Sequence, residues 1–164
     1  MSIAFAELET LPQSERFVPR AKATRVAQLH CLVVAEDADR RAFLAAAARE
    51  AGWEVTAHAD AYAAGITAHR IRHALAIVDL DGLATDRSEE VRTLTESLCS
   101  SSQPLVMVCG TEGNPIEEIW ARQLGVWLYL SGVDTSCDIT SLCSDAKHVV
   151  QKMQGKPTYS HYVK

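Results

Sequence analysis

From Leu29 onward the chain alternates apolar, strand-like runs with amphipathic segments, five times over. The runs are Leu29 to Ala35, Trp53 to Ala57, Ala74 to Asp79, Pro104 to Cys109 and Val126 to Leu130. The third is apolar at every position until Asp79, the pattern of a strand covered on both faces. The fifth alternates aliphatic residues with Trp127 and Tyr129, which suits a sheet edge. Between the runs, apolar residues recur at helical spacing. Phe43, Leu44, Ala47 and Ala51 share a face of a helix near Asp39 to Ala51 that Gly52 stops. Asp60 can cap a second helix reaching about Arg70, and Asp86 to Glu89 has the spacing of a capping box ahead of Val91, Leu94 and Leu98. Asn114-Pro115-Ile116-Glu117 joins an N-cap to a proline at the first helical position. Ile139, Leu142, Cys143, Ala146, Val149, Val150 and Met153 line a last helix that closes at Gly155.

Strands alternating with helices predict an α/β fold, a parallel sheet covered on both faces and joined by right-handed crossovers. We expect a flavodoxin-like three-layer sandwich with a five-stranded sheet of order 2-1-3-4-5. No G-x-G-x-x-G follows the first strand and no Walker sequence is present, which argues against a dinucleotide-binding or P-loop domain. The regular region spans 28–154. Residues 1–27 read as an arm or linker, with room for a short helix from Ala4 to Leu11 that could dock on the domain or form a homodimer. Residues 155–164 read as a loosely held tail.

Composition narrows the picture. A net charge of −5 without a Lys/Arg run argues against direct contact with nucleic acid. No apolar stretch approaches the ~20 residues of a membrane span, and the acidic start is unlike a signal peptide. These features predict a cytoplasmic protein that does not enter a membrane. The five cysteines, an odd number with no C-x-x-C pair, read as reduced and mostly buried thiols.

The candidate chemistry lies at the strand ends. In open α/β sheets ligands sit beyond the carboxyl ends of the strands, which is where Asp79 falls. Glu36 and Asp37 end the neighbouring apolar run, so three carboxylates can meet at one sheet edge. Such a cluster raises at least one pKa unless a cation relieves the repulsion, and Mg²⁺ is a hard cation suited to carboxylates. Taken singly, Asp37 or Asp39 could instead cap the first helix, and Asp81 could belong to a turn with Gly82.

With these residues in place, the region from Gln28 to Met153 resembles the receiver domain of bacterial response regulators. The acidic pair after strand one is matched by Glu36-Asp37, and the phosphoacceptor aspartate that closes strand three by Asp79. The resemblance implies Mg²⁺ held by Glu36, Asp37, Asp79 and the backbone carbonyl of Asp81. It also implies phosphoryl transfer to Asp79 from a sensor histidine kinase or phosphotransfer protein, in a two-component relay. A downstream protein would bind the face made by helix four, strand five and helix five, to which Trp120 belongs. The chain departs from the pattern at the switch positions. Cys109 stands where receivers have Thr or Ser, and Gly132 and Val133 stand where they have Lys and Pro. Tyr129 matches the aromatic switch position. A cation such as Arg87 or Lys147 could replace the missing lysine.

Three functions remain open from the sequence. One is a single-domain, atypical receiver phosphorylated at Asp79. A second is a phosphorylation-independent pseudo-receiver acting as a protein-interaction module. A minor third is a Cys109-dependent enzyme, for which a helix N-terminus near the thiol speaks in favour. The arginine six residues on that a cysteine phosphatase needs is absent, since Pro115 stands there.

Overall fold

A computed structural model describes residues 29–155. The proposed N-terminal helix, arm and tail lie outside these residues, apart from Gly155. The elements are β1 (His30–Val34), α1 (Ala38–Glu50), β2 (Glu54–His58), α2 (Ala61–Arg70), β3 (Leu75–Asp79), α3 (Thr85–Ser100), β4 (Leu105–Gly110), α4 (Pro115–Leu124), β5 (Leu128–Ser131) and α5 (Ile139–Gln154). All neighbouring strands are parallel and the order is β2-β1-β3-β4-β5, as the alternation predicts.

The central strands are apolar throughout because each face meets helices. Cys31, Val33, Leu75, Ile77, Met107 and Cys109 point to one side, where α1 brings Leu44 and Ala48 and α5 brings Ile139, Cys143, Ala146 and Val150. The intervening Leu32, Val34, Ala76, Val78, Val106 and Val108 face the opposite side, against Ala64 of α2 and Val91, Leu94 and Leu98 of α3. Full burial of each large aliphatic side chain contributes about 1.5–3 kcal/mol. The Trp53 indole donates to the Cys143 carbonyl at 2.9 Å, tying the start of β2 to α5. All five cysteines are free, three of them buried.

Helix starts follow the polar residues in most places. The side chains of Asp37, Asp60, Asn114 and Asp138 cap α1, α2, α4 and α5. The expected capping box at Asp86 is a correction: α3 begins at Thr85, after Ala84, with no side-chain cap. Asp86 instead lies inside the first turn, where its charge still favours the helix dipole. The ladder of β5 begins at Leu128, two residues later than the apolar run, because the chain at Val126 is still bonded to Ala121 of α4.

Candidate functional site

The parallel sheet brings the ends of β1, β3 and β4 to one edge. Asp79 ends β3 beside Cys109 of β4, and the following amide, Leu80 N–H, donates to the Cys109 carbonyl at 2.8 Å. Asp79 is 2% exposed, so its carboxylate needs compensation from the protein.

That compensation comes from Arg40. Its Nε donates to Asp79 Oδ2 at 2.6 Å and its Nη2 to Asp79 Oδ1 at 2.8 Å, a fork-to-fork pair that takes both carboxylate oxygens. Nη1 donates to the Val133 carbonyl at 2.6 Å and lies 3.6 Å from Asp81 Oδ2. The side-chain hydrogen bond to Asp79 outweighs the partial burial of the guanidinium and holds its pKa well above the ordinary arginine value. One guanidinium thus links β3, the loop after it and the loop between β5 and α5.

The acidic pair after β1 is arranged differently from the pattern in the sequence. Asp37 accepts from the Arg40 amide at 2.8 Å as the N-cap of α1, and both Glu36 and Asp37 are exposed. Buried Ala35 continues the β1 ladder, and its carbonyl and that of Glu36 accept from Arg41 at 2.8 and 3.0 Å. The structure therefore joins Asp79 and Asp81 through Arg40 and gives Asp37 to the helix. Among the described residues no three His, Cys, Asp or Glu side chains gather as a metal site. Mg²⁺ chemistry does not fit this arrangement, because the guanidinium occupies both oxygens of the buried Asp79 carboxylate.

The cation that pairs with Asp79 is Arg40, a cation other than the two named from the sequence. Lys147 lies near the Ala51 and Gly52 carbonyls, at 3.5 and 3.4 Å, and Arg87 is an exposed residue of α3. A signal for Arg40 did exist in the sequence. It stands third in a helix that Asp37 caps, and a cation in the first turn opposes the dipole. An arginine placed against that local preference has a partner elsewhere.

At the switch positions, Cys109 is fully buried, and burial followed by the Asp79 charge pushes its thiol far up. A nucleophilic cysteine needs the opposite shift, so the environment disfavours Cys109 chemistry. Gly132 adopts φ +63° and donates its amide to the Gly110 carbonyl at 3.0 Å. The next residue, Val133, is the one whose carbonyl Arg40 reaches.

Tyr129 is held inward by a second buried acid that the sequence reading credited only as part of a helix start. The Tyr129 hydroxyl donates to Glu117 Oε1 at 3.1 Å, and Thr111 N–H donates to the same oxygen at 2.9 Å. Arg92 Nη2 lies 3.4 Å from Oε2, and its guanidinium stacks 4.8 Å over the Trp120 ring. Burial, then the Glu117 charge, pushes the Tyr129 phenol up to about 12. Gly110 leaves room for this contact, since a Cβ there would collide with both the Tyr129 hydroxyl and Glu117.

The fold is that of the receiver domains of response regulators. Neither a protein-family model nor a curated protein matches the sequence. Among solved structures, a CheY-like response regulator receiver domain protein from Methanospirillum hungatei superimposes with a TM-score of 0.61 at 15% identity, over 78% of this chain and 98% of that one. Chemotaxis protein CheY4 of Vibrio cholerae gives 0.55 at 17% identity, over 78% and 98%. NtrX of Brucella abortus gives 0.63 at 17%, over 76% of this chain and 28% of that longer one. At such identities the likeness establishes the fold, and the site must be judged from its own residues.

Proposed function

We propose that this is a pseudo-receiver: a cytoplasmic, receiver-fold interaction module that works without phosphoryl transfer. The observation that carries this reading is the Arg40 fork on Asp79. A phosphoryl acceptor needs a free carboxylate oxygen, and both are engaged here. Arg40 also supplies permanently the positive charge that Mg²⁺ and the missing lysine would bring. The shape that phosphorylation would stabilise is replaced by one held in the chain itself, so a kinase is not required. Its output is a protein partner bound on the face of α4, β5 and α5. In support, α4 exposes Ile116 and Ile119 one turn apart, at 75% and 55%.

The competing reading is an atypical receiver, in which Arg40 swings away and Asp79 accepts phosphoryl with Mg²⁺. An NMR titration of the full chain with Mg²⁺ and then beryllofluoride separates the two. We expect the amides of Asp79, Leu80 and Cys109 to stay unmoved at millimolar ligand. Saturable shifts there, or transfer of label from acetyl phosphate to Asp79, would overturn the pseudo-receiver.

A further inference from the structure

A second concave site lies at the opposite edge of the sheet, where the strands begin. It is a cleft of about 800 Å³ between the starts of β1, β3 and β4 and the end of α5. That volume falls in the usual range for small-molecule sites, about 300–1,000 Å³. Its apolar part is formed by Leu29, Leu105, Val150 and Met153. Its basic part is formed by His30, Arg70, Arg72 and His73, with Ser102, Gln103 and Gln154 beside them, and among the described residues no Asp or Glu lines it.

His73 is the telling residue. It is 5% exposed, yet neither ring nitrogen has a hydrogen-bond partner among the described residues. The nearby Ile71 backbone acts on the ring without closing a bond of ordinary geometry. A buried, unsatisfied imidazole costs about 1–3 kcal/mol, and because both its nitrogens are closed to solvent the ring forms part of the cleft floor and meets a ligand only by turning. Its neighbour His30, 6.4 Å away edge to face, is 3.9 Å from Glu54 at the rim.

Arg72 is exposed and among the described residues uses only Nε, donating to Gln103 Oε1 at 2.5 Å. Its terminal nitrogens remain available for a bidentate acceptor. Capping a helix dipole explains part of this basic character, because Arg70 is the last residue of α2. It does not explain His73, which is buried beyond the helix. The ends of α2, α3 and α5 each present roughly half a negative charge, spread over carbonyls, against two whole guanidinium charges.

We infer that this cleft binds a small organic phosphate, whose flat body of nucleotide size lies on Leu105, Val150 and Met153 and whose phosphate meets Arg72 and Arg70 beside the His73 ring. Inorganic phosphate alone would leave the apolar part uncovered. A sugar or base alone would leave the cationic groups unpaired. The inference concerns residues remote from Asp79 and holds whichever way that carboxylate behaves.

The test is an NMR titration of the ¹⁵N-labelled full chain with AMP, adenosine and inorganic phosphate in turn. The expected result is saturable binding of AMP with shifts at Arg72, His73, Ala74, Gln103 and Leu105, and weaker binding of both fragments. Arg72→Gln, at an exposed position, should keep the rest of the spectrum and weaken AMP about tenfold, the loss expected from one charge-assisted contact. Four outcomes each overturn the inference: no saturable shift with AMP, adenosine equal to AMP, inorganic phosphate equal to AMP, or an Arg72→Gln chain with unchanged affinity.

Discussion

Replacing Arg40 with Ala removes the cation that pairs, among the described residues, with a carboxylate that is 2% exposed, and leaves the Val133 carbonyl without its donor. Breaking a buried ion pair by deleting one member costs about 3–5 kcal/mol. The Arg40 side chain is 24% exposed, so water screens part of the interaction and can reach the gap. We therefore expect a loss of about 2–4 kcal/mol, which for a domain of this size lowers Tm by roughly 10 °C. Arg40→Lys should recover about half, because an ammonium keeps the charge but cannot form the fork. The sharper assay is a double-mutant cycle with Asp79→Asn, followed by urea denaturation. Arg40→Ala removes both donors, and Asp79→Asn removes the negative charge and one of the two acceptors, so the pair should fall short of additivity by at least about 1.5 kcal/mol. A loss below about 0.5 kcal/mol for Arg40→Ala, additive with Asp79→Asn, would show that the fork does not persist in solution. The pseudo-receiver reading would then lose its support.

Gly110→Ala should cost about 2–4 kcal/mol, because the added methyl displaces Tyr129 and Glu117 and strips Thr111 N–H of its acceptor. Urea midpoints measure this, and a neutral effect would mean that the Tyr129–Glu117 contact is dispensable. Burial, then the nearby His30, holds the His73 imidazole below its ordinary value of 6.5. As pH falls through that value the unfolded chain takes up a proton that the folded one resists, so the unfolded state binds more protons and stability declines. His73→Phe should flatten the dependence of urea midpoint on pH in this range, and an unchanged slope would refute the assignment.

Much of the fold is legible along the chain because it depends on local alternation. Strands buried on both faces must be apolar throughout, as Leu75 to Val78 are. Helix starts need a side-chain acceptor, as Asp60 and Asn114 provide. Asp86 misled because its spacing fits a cap equally well one or two residues either side, and only the path of the preceding loop chooses. Of the candidate site, the place of Asp79 at the sheet edge follows from the strand pattern, and so does the option that Asp37 caps the first helix, whereas the orientation of each acid does not. In the structure Asp37 serves α1 and Glu36 faces solvent.

By itself the amino-acid order determined the alternation of elements, the parallel sheet and the place of Asp79, because periodicity and capping act over a few residues. The tertiary structure decided what holds Asp79. Arg40 meets it across 39 positions of sequence and reaches Val133 across 93. The same holds for Glu117, whose acceptor role depends on Tyr129 and Arg92 arriving from separate elements. Charge pairing in a buried site depends on angstrom-scale distance between groups that chain order leaves far apart, and only the closed sheet with its helices brings them together.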